Sequence, residues 1–333
     1  MQAGSLSSVR ILVTGSAGHL GDALVRELRH DGHSVTGLDV LASPTTDLVA
    51  SITDREAMRA ALSGVDAVVH SATLHKPHVS SHTRQDFIDV NLTGTLVTLE
   101  EAVAAGVSRF VFLSSTSAFG RALRPGPDQP AAWVTEQVVP VPRNIYGVTK
   151  IGAEDLCELI ARDQGMPVVV LRASRFFPED DDEADRRNSY NSLNLKVNEL
   201  LYRRVDLADL VDACRLAIDR APAIGFGKYI ISATTPFVEG DVAALRGDLP
   251  SVLARYHPNF REIYAKRDWR MLDGIGRVYV NDAARRDLGW TPRFTFGHAL
   301  DRLAAGQDPR SELARLVGQK GYHPTSHGIY TVR

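Results

Sequence analysis

The chain is poor in cysteine, with two thiols, Cys157 and Cys214, among 333 residues. Both fall in stretches of helical periodicity, which excludes a disulfide framework and a thiolate metal cluster. Long apolar runs are missing too: none reaches the ~20 residues that a bilayer-spanning helix needs. The opening MQAGSLSSVR is too short and polar for a signal peptide. Neither sign of charge dominates, and a net charge of -2 gives no electrostatic reason to expect nucleic acid or a membrane surface as partner. Internal repeats and low-complexity tracts are absent. A cytoplasmic protein with a small-molecule ligand is expected. At 44% hydrophobic and 23% charged residues, the chain can bury a substantial core as one large or two coupled domains.

Histidines are locally abundant in HSATLHKPHVSSH, where His70, His75, His78 and His82 lie close together. His75 and His78 could ligate a metal, but no nearby cysteine or carboxylate completes a set, and no metal is expected. They suit a loop beside a ligand, or plain solvent exposure.

What is present is an alternation of strands and helices. Val9 to Thr14 is an apolar run that stops at Gly15, followed by Gly18 and Gly21 in TGSAGHLG. A strand ending in a tight turn and a helix from about His19 to His30 are expected, with Gly15 making the turn, Gly18 letting backbone approach a pyrophosphate and Gly21 packing helix on strand. The next strand, Ser34 to Leu38, ends in Asp39. A carboxylate there can accept from ribose hydroxyls and repel a 2′-phosphate, which favours NAD over NADP; otherwise Asp39 caps a turn. Further buried strands are predicted at Asp66 to His70, Arg109 to Ser114 and Pro167 to Arg172, giving a right-handed, doubly wound parallel sheet. A helix over Val205 to Arg220 and a strand over Lys228 to Ser232 return to that sheet.

The α/β chain therefore divides into a Rossmann-type NAD-binding domain over 8–172, to which 204–235 returns, and a smaller mixed C-terminal substrate-binding lobe built from 173–203 and 236–305. The segment 306–333 reads as an extended arm or tail, with Tyr322 and His323 available to pack on a neighbour.

Tyr146 and Lys150 stand one helical turn apart in NIYGVTK, downstream of Ser114 and Ser115 in FLSSTSAFG. A phenol titrates near ~10, too high for a base at neutral pH. An ammonium on the same helix face favours the phenolate, so Tyr146 could exchange an alcohol proton while Ser115 holds the substrate oxygen.

With these residues the chain resembles the extended short-chain dehydrogenase/reductase superfamily, the group of NAD-dependent epimerases and dehydratases, over roughly 9–300. The resemblance rests on ILVTGSAGHLG, DAVVHSAT, VNLTGTLVTLEEAVAAGVSRFVFLSST, YGVTK, VVVLRASR and RRDLGWTP, the last similar to the LGW-x-P segment of nucleotide-sugar epimerases. It implies Ser115, Tyr146 and Lys150 as the catalytic trio, with Asn91 supporting the site. It assigns NAD to Gly15, Ala17, Gly18, His19, Leu20, Gly21, Asp39, Ser51, Ile52, Ser71, Ala72, Thr73 and Ser114, together with Tyr146 and Lys150, and has His70 line the cofactor. The substrate side takes His75, His78, Thr116, Arg175 and Arg204. It also implies a homodimer through the helices Arg84 to Ala105 and Tyr146 to Gln164, which carry Val90, Leu96, Val97, Leu99, Ile151, Leu156 and Ile160 on more than one face.

The chain departs from its relatives in several places. Ser51-Ile52 stands where the family often has Asp-Ile or Asp-Leu near the adenine, leaving the contact to Ser51 or Asp54. Arg175 stands where an asparagine often touches a substrate diphosphate, and a guanidinium could bind phosphate through its fork. The acidic run Glu179 to Glu183 would oppose that unless it points away; it is a solvated loop or a clamp for a cationic substrate. Thr116, Ser117 and Ala118 replace the acidic pair of dehydratases, so no acid is available to expel a hydroxyl. Three readings follow: an epimerase of a nucleotide-sugar type substrate that keeps its NAD, a dehydrogenase or ketoreductase on a non-nucleotide substrate that releases it, and a non-catalytic NAD-binding sensor.

Overall fold

Seven parallel strands form the centre: β1 (Arg10–Thr14), β2 (Ser34–Asp39), β3 (Leu48–Val49), β4 (Ala67–His70), β5 (Arg109–Ser115), β6 (Val168–Ala173) and β7 (Phe226–Ile231). They lie in the order β7-β6-β5-β4-β1-β2-β3. The computed structural model describes residues 8–177, 179–181 and 183–321. Strand order reverses between β1 and β4, and in such sheets the crevice beyond the strand C-termini at that point takes the ligand.

Period-two alternation explains the layers. Ile11, Val13, Val69, Val111, Leu113, Val169 and Leu171 point to one face, where they pack with α1 (His19–His30) and α5 (Leu207–Ile224). Their neighbours Leu12, Val68, Phe110, Phe112, Val168 and Val170 point to the other, against α2 (Arg55–Leu62), α3 (Gly94–Ala104) and α4 (Ile145–Gln164). With both faces covered, strands read as unbroken apolar runs, each large side chain contributing about 1.5–3 kcal/mol on burial.

The helix expected over Arg84 to Ala105 is built in three parts: Arg84–Phe87, a π-helical stretch Ile88–Thr93, and α3. One residue is thereby inserted into the helical register just where Asn91 stands, a device common at functional sites. Helix α5 begins later than expected because Asp206 caps it, accepting from Ala208 N at 2.8 Å, while Val205 belongs to a short strand pair of Arg175–Phe176 with Arg204–Val205. A second pair joins Ala132–Val134 to Arg277–Tyr279.

The second half shares the core on the α1/α5 side, through Leu249, Phe260, Trp290 and Phe296. The LGW-x-P segment acts here as an anchor: Trp290 Nε1 donates to Asp209 O at 2.9 Å, and Arg293 N and Phe294 N donate to the Asp209 carboxylate, each at 2.9 Å. Beyond it the chain differs from an extended arm. Residues Glu312–Val317 form a helix capped by Ser311, and Leu313 and Ala314 are buried, because an apolar pair behind a serine cap can dock on α1 and α5. Tyr322 and His323 lie outside the described residues.

Candidate active site

The first turn meets the requirements of a dinucleotide cradle. Gly15 adopts φ +76°, and a Cβ there would fall 2.7 Å from Ala72 N. A Cβ on Gly21 would sit 2.0 Å from Gly15 O, closer than any side chain allows. At Gly18 the nearest atom to such a Cβ is Gly15 O at 3.3 Å, so its outer side is open to the cavity that it lines. Asp39 ties this turn to β2: its carboxylate accepts from Ala17 N at 3.0 Å and Leu41 N at 2.9 Å. It therefore caps turns and, being half-buried, keeps an open side for further donors.

A cavity of about 910 Å³ opens over the strand ends. From the expected cofactor set it takes Gly15, Gly18, His19, Leu20, Gly21, Ser71, Thr73, Ser114, Tyr146 and Lys150 into its wall. Ala17, Asp39, Ser51, Ile52 and Ala72 stand outside that wall. Ser51 bonds Thr53 Oγ1 at 2.8 Å, Asp54 caps α2 through Glu56 N and Ala57 N, and buried Ile52 packs against Gly94. His70 differs from its expected place along the cofactor. Its ring is fully buried between Thr14 Oγ1 at 2.9 Å and Thr95 Oγ1 at 3.2 Å, because the β4 register turns it inward, and burial pushes its pKa down to about 3.

Ser115 ends β5 and caps the next turn, its Oγ accepting from Ser117 N at 3.1 Å. Tyr146 opens α4 behind the cap Asn144, which accepts from Gly147 N at 3.0 Å. The two come together, the Tyr146 hydroxyl hydrogen-bonding Ser115. Lys150, one turn on, donates to Leu113 O at 2.8 Å, with its ammonium 6.0 Å from the Tyr146 ring centre. The electrostatics depart from the sequence expectation. Burial pushes the Tyr146 phenol up, opposed only by the Ser115 bond, and burial lowers Lys150 to about 7 against the pull of Glu154. Both groups are buried at 5% and 2% exposure, so loss of solvent outweighs their mutual attraction.

Two buried networks hold these groups. Asn91 accepts from Leu74 N at 2.7 Å and donates to Leu74 O and Thr149 Oγ1, both at 3.0 Å, fastening the loop after β4 to α4. Beneath Lys150, Glu154 accepts from Ser114 Oγ at 2.5 Å and from Arg172 Nη2 at 2.7 Å. Sequence reasoning missed Glu154 and Arg172, since nothing local pairs residues from a helix and a strand.

On the substrate side, the half-buried His75 ring lies tilted at 45° with its centre 6.3 Å from that of Tyr146, and it is kept neutral by burial and by the charge of Lys150. His78, expected at the substrate, stands outside the cavity wall; its Nδ1 accepts from His75 N at 2.9 Å, which fixes this loop. Thr116 and Arg175 also face the cavity. Arg204 does not: it is fully buried, donating to Phe176 O at 2.8 Å and pairing with Glu199 at 2.6 Å. Its neighbour Arg203, in the turn just before that strand, takes the wall position. Arg203 pairs with Asp181 and Glu199, and Arg175 lies 3.3 Å from Asp181. Burial would raise the pKa of Glu199, but Arg203, Arg204 and Arg175 together hold it well below the usual carboxylate range.

In the acidic run Asp180, Asp181 and Glu183 are matched by cations. Asp180 meets Lys196 at 2.7 Å, and Glu183 meets Arg186 at 3.0 Å and Arg124 at 3.6 Å. Among the described residues around the cavity, seven arginines and three lysines face four carboxylates. Among them Arg124, Arg143 and Arg246 come from loops and Arg277 from the first position of the short strand Arg277–Tyr279, with no motif to announce them, as do Gln319 and Lys320 from the far end of the chain.

Comparison with known proteins places the fold in a family. The NAD dependent epimerase/dehydratase family matches residues 11–224. A 3 beta-hydroxysteroid dehydrogenase/Delta 5-->4-isomerase of Mycobacterium tuberculosis is 30% identical over 334 residues, covering 87% of this chain and 88% of that protein. A UDP-glucose 4-epimerase of Erwinia amylovora is 30% identical over 163 residues, or 44% of this chain and 47% of the epimerase. The chain spans about half or less of the length of several such curated relatives. A short-chain dehydrogenase/reductase superfamily protein from Agrobacterium tumefaciens, solved with bound NAD, superposes with a TM-score of 0.63 at 25% identity, over 89% of this chain and 96% of that one. The fold is thus that of the extended short-chain dehydrogenase/reductase superfamily. The chain belongs to the NAD-dependent epimerase/dehydratase family.

Proposed function

We propose that this protein acts on a secondary alcohol or ketone of an anionic, sugar-type substrate, such as a nucleotide sugar, with Ser115, Tyr146 and Lys150 as its reacting site. The observation that carries the substrate class is the excess of guanidinium and ammonium groups over carboxylates around the cavity. An uncharged apolar ligand would strip these groups of water without pairing them. A diphosphate or carboxylate would accept from Arg175 and Arg203 at one end and leave its sugar near Tyr146. A cationic ligand suits the site poorly, since Asp180, Asp181 and Glu183 of the acidic run already meet cations of the chain.

Ser115 and Tyr146 hold the substrate oxygen between two hydroxyls. Bound NAD supplies the hydride acceptor and donor. Tyr146 takes the alcohol proton when the carbon is oxidised and returns it when the carbonyl is reduced. Because burial favours neutral phenol, the ammonium of Lys150 is needed to stabilise the phenolate, and the two titrations are coupled. Asn91 and the Glu154–Arg172 pair keep α4 and β5 in the geometry this transfer requires.

In the epimerase reading the cofactor stays bound and the hydride returns to the opposite face, with no net NADH. A second reading, net oxidation with cofactor release, draws support from the hydroxysteroid dehydrogenase being matched over nearly its whole length. One assay separates them. Purified protein is expected to carry NAD and to interconvert UDP-sugar epimers without absorbance at the NADH wavelength, whereas stoichiometric NADH selects the second reading. In either case Tyr146→Phe should lower turnover about 100-fold or more at unchanged NAD affinity. Near-normal turnover in that variant would move the proton transfer to another group.

A further inference from the structure

The chain returns to its own first turn at its last described residues. The backbone N–H of Lys320 donates to His19 Nε2 at 2.7 Å, and its ammonium donates to Ala17 O at 2.9 Å and pairs with Asp22 at 2.7 Å. Asp22 also faces Arg26 at 2.5 Å, so two cations share that carboxylate, and with the Asp39 carboxylate on Ala17 N the charges at the turn balance before any phosphate arrives. Next to it, Gln319 Nε2 donates to Asp180 Oδ2 at 2.9 Å on the opposite wall, where Asp180 is held by Lys196 and Ser192. Both residues line the cavity together with Gly15, Gly18 and Gly21. The strap is anchored from behind by the helix Glu312–Val317 and by Ser311 N, which donates to Asp206 at 3.1 Å.

A dinucleotide resting on this turn brings two negative phosphates to the N-terminus of α1, beside Ala17 and Gly18. From this geometry we infer that residues Gln319 and Lys320 are a cofactor clamp: the Lys320 ammonium pairs with the diphosphate of the dinucleotide, and Gln319 closes the strap against Asp180. The inference rests on the NAD reading above. A lysine that hydrogen-bonds a backbone carbonyl at the phosphate turn is already oriented, so little side-chain freedom remains to be lost when the phosphate arrives. The strap also crosses from the cofactor wall to the substrate wall, so the dinucleotide leaves only when the Gln319–Asp180 bond opens. Such a device suits an enzyme that retains its cofactor between turnovers.

The test is calorimetric titration of NAD, ADP and adenosine into the full chain, cleared of endogenous cofactor, and into Lys320→Ala, Lys320→Gln and Lys320→Arg. The clamp predicts NAD and ADP affinity about tenfold weaker in the alanine and glutamine variants, adenosine affinity unchanged, and arginine restoring most of the loss. Gln319→Ala should leave the ADP affinity near normal and speed NAD release in stopped flow. An equal loss for adenosine and ADP makes Lys320 a structural pin and overturns the clamp, as does unaltered ADP binding in Lys320→Ala. Wild-type protein that binds neither NAD nor ADP removes the NAD reading itself, an outcome distinct from the variants' behaviour.

Discussion

Replacing Glu154 by glutamine removes one negative charge from beneath the site at almost constant shape. The carboxylate is 1% exposed and accepts from Ser114 Oγ and from Arg172 Nε and Nη2 at 2.5–3.2 Å. An amide satisfies only part of this set and leaves the buried Arg172 guanidinium without a counter-charge. Breaking a buried pair from one side costs about 3–5 kcal/mol, which in a chain of this size lowers the melting temperature by roughly 5–10 °C. Glu154 is also the group that holds Lys150 up against burial, so its loss moves Lys150 below about 7. Lys150 is the ammonium below that value and neutral above it. The alkaline limb of kcat/KM, set by loss of this proton, should therefore shift to lower pH. The measurements are thermal melts and pH–rate profiles of wild type, Glu154→Gln and the double variant Glu154→Met/Arg172→Met. The double variant should recover much of the stability, since an apolar pair needs no counter-charge. A Glu154→Gln enzyme with the wild-type melting temperature and an unmoved alkaline limb would refute the reasoning.

Three further outcomes are expected. NAD should bind at least tenfold more tightly than NADP, about 1.4 kcal/mol, because the Asp39 carboxylate repels a 2′-phosphate; Asp39→Asn should narrow the gap, and equal affinities in calorimetry would remove that role. His70 stays neutral in the folded state down to about 3 whereas an unfolded histidine titrates near 6.5, so the unfolded chain binds the extra proton and stability falls as pH drops through that window. The slope reaches about 1.4 kcal/mol per pH unit, and urea unfolding at pH 7 and 5 should show a smaller difference in His70→Gln. A homodimer should form through the outer faces of α3 and α4, where Val148 and Leu159 are 49% and 40% exposed, and Leu159→Glu should give monomers in light scattering; a wild-type monomer at micromolar concentration would exclude it.

The sequence was informative wherever the cause was local. Gly15, Gly18 and Gly21 act through the conformation of a few consecutive residues, and the apolar strands betray themselves by their own composition. Tyr146 and Lys150 needed only the helical repeat to be placed on one face. Failures arose where register or distant contact decides. A single inserted residue makes Ile88–Thr93 π-helical without disturbing the apolar pattern. Whether His70 faces ligand or core, and whether Arg203 or Arg204 reaches the cavity, depends on one step along the chain. The fold also spends three of the outward-looking residues, Val97, Leu99 and Ile160, on its own core. Burial of Tyr146 and Lys150 reversed the expected balance of their charges, and burial is set by elements far away in the chain.

The contact between Lys320 and Ala17 joins residues 303 positions apart, which gives the order of synthesis a physical meaning. A ribosome adding roughly 5–20 residues per second needs about 15–60 s to travel that distance. During this interval β1, its glycine turn and α1 have left the exit tunnel, yet the lysine that neutralises Asp22 alongside Arg26 does not exist. Nascent chains in which Lys320 has not left the tunnel should expose the turn to solvent and capture dinucleotide weakly, and chains extended far enough to free it should hold the ligand in the manner of the released protein.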